Sequence, residues 1–158
     1  MDESFRGEFH LKVDGKGRVS IPADFRRVLE LSDPNWSPGQ RPSFVIVFGD
    51  EQRHFLECFT MKAIAEVEAK IARIPRGTQR RRKLERCISS LSQKCEVDNE
   101  GRIVLAQRLR DKLGLETEVL FAATLDTFQI WKKETYLAEL DAPLEDDFLS
   151  LLDSADEG

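Results

Sequence analysis

Apolar positions alternate with polar ones at the start of the chain: Phe9, Leu11 and Val13 are interleaved with His10, Lys12 and Asp14. A period of two marks a strand buried on one face. Val19 and Ile21 resume it after the interruption Asp14-Gly15-Lys16-Gly17. The two glycines can take the positive φ angles of a hairpin loop, and the Asp14 carboxylate can accept loop backbone N–H groups. The pattern predicts a strand, a turn and a strand, with Arg18 at the mouth. The period then lengthens, because Phe25, Val28 and Leu29 share one helical face. Pro22 suits the first turn of that helix and Asp24 the positive end of its dipole. The helix is expected to end near Leu31.

A loop rich in Pro, Gly, Asn and Ser follows over residues 32–42, then apolar runs at 44–48 and 55–59 that read as buried strands. Thr60 can cap a helix carrying Ile64, Val67, Ile71 and Ile74 at spacings of three and four, which Pro75 and Gly77 stop. A second helix starting near Thr78 places Leu84, Cys87, Ile88 and Leu91 on one face and its arginines mainly on the other.

The opening pattern then recurs. Residues 97–106 repeat residues 13–22 at an offset of 84, and aligning 13–31 with 97–115 gives seven identities in 19 positions. Unrelated segments would give roughly one. The identities are Val13, Asp14, Gly17, Arg18, Arg26, Leu29 and Leu31. In the second copy Gly114 sits where a left-handed residue closes the helix, whereas the first copy has Glu30. Strands are expected at 119–122 and 127–131, then a helix at 134–140 with Tyr136, Leu137 and Leu140 on one side. Matching Phe59 with Trp131 shortens the offset to 72, so the first copy carries 12 extra residues, placed most simply at 32–42. Trp36 in that loop is expected to pack on its own domain. Beyond Pro143, Leu144, Phe148, Leu151 and Leu152 recur at helical spacing among Glu145, Asp146, Asp147 and Asp153. An acidic helix and a solvated end both fit that pattern.

The 158 residues suit one domain, or two small halves sharing a core. At 41% apolar and 34% charged, the composition is that of a soluble globular protein rather than a disordered one. No apolar run is long enough to span a bilayer, and the first residues lack the apolar core of a signal peptide, so a cytoplasmic protein is expected. Cys58, Cys87 and Cys95 are odd in number and form no Cys-x-x-Cys pair, which favours reduced thiols. His10 and His54 have no ligands at metal spacing, so no metal is expected. The formal charge of −5 conceals a division, since residues 139–158 hold eight acids and no base. Removing those eight negative charges from −5 leaves +3 on residues 1–138. Between Arg73 and Arg86 stand Arg73, Arg76, Arg80, Arg81, Arg82, Lys83 and Arg86 against the single acid Glu85. Distribution rather than sum decides what such a chain can bind.

A strand, an Asp-x-x-Gly-Arg turn, a strand and a Pro-started helix resemble the SpoVT-AbrB domain. Two such units in tandem, with Phe5-Arg6-Gly7 before the first and an arginine-rich helical linker between, are similar to the MraZ family. The resemblance runs from about Phe5 to Leu140 and rests on Asp14-x-x-x-Arg18 and Asp98-x-x-x-Arg102. It implies an α+β fold: a pseudo-symmetric β barrel of two swapped-hairpin repeats with flanking helices. Residues 8–60 and 93–140 would form the repeats, 61–92 a basic helical linker and 141–158 an acidic tail. It further implies a homo-oligomeric ring that regulates transcription, binding tandem repeats in double-stranded promoter DNA upstream of the cell division and cell wall operon. Such a protein would be cytoplasmic and nucleoid-associated, with no cofactor and no membrane partner.

An Arg at the mouth of a turn can grip a guanine edge or a phosphate. The two turns differ in their surrounding charge. Arg6, Lys12, Lys16 and Arg18 accompany Glu8 and Asp14 in the first copy, whereas Lys94 and Arg102 accompany Glu96, Asp98 and Glu100 in the second. Copy one is therefore expected to face DNA, with Lys16 and Arg18 as main contacts and Arg6 and Lys12 as support. Asp14, Gly15, Gly17, Asp98, Gly101 and Arg102 are expected to build the turns. An ion pair with the preceding Asp is the simpler role for Arg102, and the competing one for Arg18. The run Arg80-Arg81-Arg82-Lys83 can contact phosphate but reads first as a solvated or paired helix face, and the acidic tail of the same or an adjacent chain competes with DNA for it. An antitoxin-like module and a protein-binding ring are the rival functions. An enzyme is not expected, since no Cys-His, Ser-His-Asp, metal-ligand or phosphate-loop arrangement is present.

Overall fold

The computed structural model describes residues 4–140 together with Leu149, Leu151 and Leu152. The alternating segment before the first turn forms β1 (Glu8–Lys12) and the one after it β2 (Arg18–Ser20). Helix α1 (Ala23–Leu31) follows, with Pro22 as its N-cap residue rather than inside its first turn. The two apolar runs become β3 (Ser43–Val47) and β4 (Phe55–Thr60). The Thr60 hydroxyl accepts the Ala63 N–H at 3.0 Å and so starts α2 (Met61–Ala72). Thr78 does the same for α3 (Gln79–Glu85), which runs on into one π-helical turn over Arg86–Ser90.

The second copy gives β5 (Ser92–Glu96), β6 (Arg102–Val104), α4 (Gln107–Leu113), β7 (Glu118–Thr124) and β8 (Thr127–Trp131). Gly114 closes α4 at φ 71°, with the Leu115 N–H on the Arg110 carbonyl and the Gly114 N–H on that of Asp111. With Glu30 at the matching position, α1 instead continues to Leu31. The last helix, α5 (Lys133–Glu139), packs through Tyr136, whose hydroxyl bonds Glu8, while Leu137 and Leu140 stay more than half exposed. The expected apolar side of that helix is therefore narrower than its spacing suggests. The tail pattern at Leu144, Glu145, Asp146, Asp147, Phe148 and Asp153 lies outside the described residues.

Six strands form one antiparallel sheet in the order β1-β7-β8-β4-β3-β5, and β2 pairs with β6 in a separate ribbon. Replacing every strand by its repeat equivalent reverses that order and leaves it unchanged. Each copy's first strand pairs with the other copy's third, and the fourth strands, β4 and β8, meet at the centre. The α+β class is as expected, but the closed barrel is not found, because β1 and β5 end the sheet without pairing with each other. The strands that follow the turns pair with each other in a ribbon of their own and do not bridge those edges. Asp14 N–H bonds the Arg18 carbonyl at 3.1 Å and Gly17 N–H the Asp14 carbonyl at 3.0 Å, yet β2 leaves this turn towards β6 instead of folding back on β1.

The strand registers also divide the first copy's extra length. The offset between copies falls from 84 at β1 and β5 to 75 at β3 and β7, then to 72 at β4 and β8. Nine of the 12 residues therefore lie between α1 and β3, and three between β3 and β4. In the longer insertion the Trp36 indole donates to the Gln40 carbonyl at 2.7 Å, so the ring folds onto its own loop.

The core belongs to both copies. Phe25 of α1 lies with its ring centroid 5.0 Å from Phe5, 5.3 Å from Phe9 and 5.1 Å from Phe128. Leu105, Leu109 and Leu113 of the second copy join Val19, Ile21 and Leu29 in that same cluster. Aromatic contacts of this kind add about 0.5–1.5 kcal/mol each beyond the area they bury. On the opposite face, Leu120, Ala122 and Trp131 pack with Phe55 and Tyr136. Cys58 is buried in the sheet, Cys95 half-buried and Cys87 exposed, and all three are free thiols.

Gly17 is the tightest point of the exchange between copies. Its φ is +84°, its carbonyl accepts the Leu105 N–H at 2.8 Å, and a Cβ would overlap the Leu105 carbonyl oxygen. Gly15, two residues away, has open space and no positive φ. Gly17→Ala is expected to lower the unfolding free energy by about 2 kcal/mol or more. Gly15→Ala should change it by about 0.5 kcal/mol or less. Urea titration of the two variants beside wild type measures the difference, and equal losses would contradict this account of the turn.

Candidate nucleic-acid interface

The first turn is organised by a carboxylate. Asp14 Oδ1 accepts the backbone N–H groups of Lys16 and Arg18, both at 2.9 Å, while Oδ2 accepts Arg18 Nε–H at 2.6 Å. Three donors on one carboxylate favour its charged form. The Arg18 backbone N–H is the largest influence and the Arg18 side chain the next, and together they hold the Asp14 carboxyl at about 2, below its ordinary 3.8. Because Arg18 is bound through Nε, its Nη groups have no hydrogen-bond partner among the described residues. Lys16 is exposed at the tip, and no carboxylate lies within 4.0 Å of it among the described residues.

The second turn has the same backbone and a different charge balance. Asp98 Oδ1 accepts the N–H groups of Glu100 and Arg102 at 2.9 Å, and Oδ2 accepts Arg102 Nε–H at 3.3 Å. The backbone N–H of Arg102 is the main cause of the lowered Asp98 pKa. Here, however, Arg102 Nη2 also meets Glu100 Oε2 at 3.0 Å. Glu100 stands where the first copy has Lys16. One exchange of charge thus pins Arg102 between two carboxylates and leaves Arg18 with one. The side chain of Arg18 is 36% exposed and that of Arg102 27%. Arg41, from the insertion, reaches this second turn and donates to Asn99 Oδ1 at 3.4 Å.

Lys12 is exposed on β1, two residues before Asp14. Arg6 is not brought to the turn. It lies beyond the other end of β1, next to the Phe5–Leu125 bridge. At about 3.3 Å per residue the strand between them is ~13 Å long. The arginine run is likewise separate. Arg81 is tied to Glu85 at 3.1 Å and to the Ile74 carbonyl at 2.8 Å, bracing the corner between α2 and α3, while Arg80, Arg82 and Lys83 are exposed.

Two arginines absent from the expected site stand at the turns. Arg110 of α4 donates Nε–H to the Leu105 carbonyl at 3.0 Å, and a Cβ on Gly17 would come within 2.9 Å of that Nε. Its repeat equivalent, Arg26 of α1, lies under the second turn, with Nη1 3.4 Å from where a Cβ of Gly101 would be. Each copy's helix therefore lays an arginine against the other copy's turn, but the buried Arg26 Nε has no hydrogen-bond partner among the described residues, whereas Arg110 Nε has one. Arg26 and Arg110 form one of the seven identities between the repeats, which is where sequence could have signalled them.

Among the described residues no group of three or more His, Cys, Asp or Glu is placed to hold a metal, and no helix is long and apolar enough to cross a membrane. A family model described as "MraZ protein, putative antitoxin-like" matches residues 4–87 and 90–151. A protein named "Transcriptional regulator MraZ" from a Ruegeria species (strain TM1040) is 56% identical, over 98% of each chain. One of the same name from Cereibacter sphaeroides is 49% identical, over 97% of this chain and 98% of its own. A more distant one from Shewanella baltica is 26% identical, over 89% of this chain and 88% of its own.

The low Asp14 pKa has a defined consequence. With the folded value near 2 and the ordinary value at 3.8, the turn's stabilising contribution is complete above about pH 4 and is lost as pH falls through 2. A carboxyl-carbon NMR titration should place the Asp14 midpoint near 2. Arg18→Ala removes the guanidinium but keeps the backbone donors, so its midpoint should rise only part of the way. A wild-type midpoint at 3.8 would show that these hydrogen bonds do not hold the charge.

Proposed function

The chain belongs to the MraZ family, and on that premise we propose that it is a transcriptional regulator whose first turn binds double-stranded DNA. Lys16 and Arg18 are the main contacts, Lys12 adds charge on the same side of β1, and Arg6 meets a neighbouring stretch of duplex. The observation that carries this reading is the Lys16 and Glu100 exchange: among the described residues the Nη groups of Arg18 have no hydrogen-bond partner, whereas Nη2 of Arg102 is drawn to a second acid. A guanidinium held rigidly by Nε and open at Nη can approach phosphate oxygens or a guanine edge without losing its support. Arg102 serves the second turn and the frame.

In this reading residues 8–60 and 93–140 are the two swapped-hairpin repeats of SpoVT-AbrB type, 61–92 a linker, and 141–158 an acidic tail outside the DNA surface. Copies of the chain assemble into a ring that presents the same turn several times. Tandem promoter boxes about one helical turn apart, ~10 bp, would then be engaged together, so modest single contacts multiply. The target is the promoter of the cell division and cell wall operon, and the site of action the nucleoid in the cytoplasm. These points follow from the family resemblance.

Fluorescence anisotropy on a duplex from upstream of the protein's own coding sequence separates the possibilities. Arg18→Ala should weaken binding by about tenfold or more, while Arg102→Ala should stay within about threefold of wild type. Wild-type binding by both variants would end the turn-reader proposal. Loss in Arg102→Ala alone, with its oligomer intact, would move the site to the second copy.

A further inference from the structure

The anion surface at the first turn extends into the second repeat. We propose that Arg110, carried by α4 of copy two, is a DNA-phosphate contact of the first turn, so that the binding site is composite and each half of the chain supplies part of it. This rests on the reading above that the first turn faces DNA.

Position and charge both point to Arg110. Its guanidinium lies against Gly17, with Cζ 3.1 Å from where a Cβ would stand, one residue from both Lys16 and Arg18. Nε–H is committed to the Leu105 carbonyl at 3.0 Å, and the same residue's N–H is bound by the Gly17 carbonyl at 2.8 Å. Leu105 therefore fixes the turn and the arginine in one frame. Among the described residues no carboxylate lies within 4.0 Å of the Arg110 guanidinium, although it is half-buried. A charge held in place without a counterion is suited to an external anion, because little side-chain freedom remains to be lost on binding.

The repeat supplies an internal comparison. Arg26 occupies the equivalent place at the second turn, but Glu30, four residues later on α1, sits with Oε2 3.3 Å from its Nε and Oε1 3.3 Å from Arg27 Nη1. The position equivalent to Glu30 is Gly114. The residue that ends α4 thus also removes the acid that would have neutralised Arg110. Both differences between the copies act in one direction: Lys16 for Glu100 frees Arg18, and Gly114 for Glu30 frees Arg110. The first turn collects Lys16, Arg18 and Arg110, whereas both arginines of the second turn are paired.

The test uses the full chain and the same upstream duplex, with binding measured over a range of salt. Arg110→Gln should weaken binding by about tenfold and lower the slope of log K against log salt by about 1, as expected for one lost phosphate contact. Arg110→Lys should restore the slope, since it restores the charge. Arg26→Gln should leave both affinity and slope close to wild type. Affinity loss in Arg110→Gln with an unchanged slope, or equal losses in Arg26→Gln, would overturn the proposal by showing a structural role. In wild-type protein, modification of Arg110 by phenylglyoxal, followed by mass spectrometry, should be slowed by bound duplex. Unslowed modification contradicts the contact even if Arg110→Gln fails to fold. If Arg18→Ala also binds like wild type, the turn-reader reading itself fails; if only Arg110→Gln does, this extension alone fails.

Discussion

Backbone exchange between the two repeats is the constraint from which the rest of the geometry follows. Leu105 N–H donates to Gly17 and Ile21 N–H to Gly101, so each turn is fastened to the strand that follows the other. Around these bonds β2 meets β6, β1 meets β7 and β5 meets β3. Neither half can satisfy its own backbone, and an unpaired buried N–H or carbonyl costs about 1–3 kcal/mol. The shared aromatic core around Phe25 is a result of this exchange, because α1 packs over strands belonging to the second copy. Gly17 must then lack a side chain, since the Leu105 carbonyl of the opposite copy lies where its Cβ would be.

Much of the local structure was legible from pattern. Alternation located β1 and β2, the repeat located β6, Thr60 and Thr78 announced their helices, and Gly114 announced how α4 ends. What pattern could not convey was partnership between distant strands. A strand, a glycine turn and a strand read equally well as a closed hairpin or as two arms that diverge, because the turn hydrogen bonds are local in both cases. For the same reason the geometric position of Arg110 beside Gly17 was hidden, although its identity with Arg26 was visible. Arg6 shows the converse, since nearness along the chain suggested a place beside Lys16 that an intervening strand prevents. Leu137 and Leu140 had the spacing of a packed face, but only Tyr136 found a partner.

Duplication gave the chain two turns with one backbone, and a few substitutions made them unequal. Lys16 against Glu100 and Glu30 against Gly114 change charge without disturbing the Asp carboxylate that organises each turn. Arg41 and its insertion add a further difference by reaching Asn99. Within each turn, the backbone and the pairing of the arginine are therefore controlled by separate residues. The acids at positions 14 and 98 serve the turn, and the variable positions around them determine how its arginine is paired.

Pairing of β1 with β7 also sets the order in which the chain can acquire structure. Glu8 waits for Ala122 and Phe5 for Leu125, so β1 leaves the ribosome before β7 and has no partner until β7 has followed it. Contacts between such distant residues slow folding, because the loop they close must lose its freedom before the contact forms. During that interval the apolar side of β1, with Phe9 and Leu11, and the edge of β3 that awaits β5 are open to neighbouring chains. The interlocking that unites the repeats in the finished molecule is, during synthesis, a period of vulnerability that chaperones or rapid completion of the chain must cover.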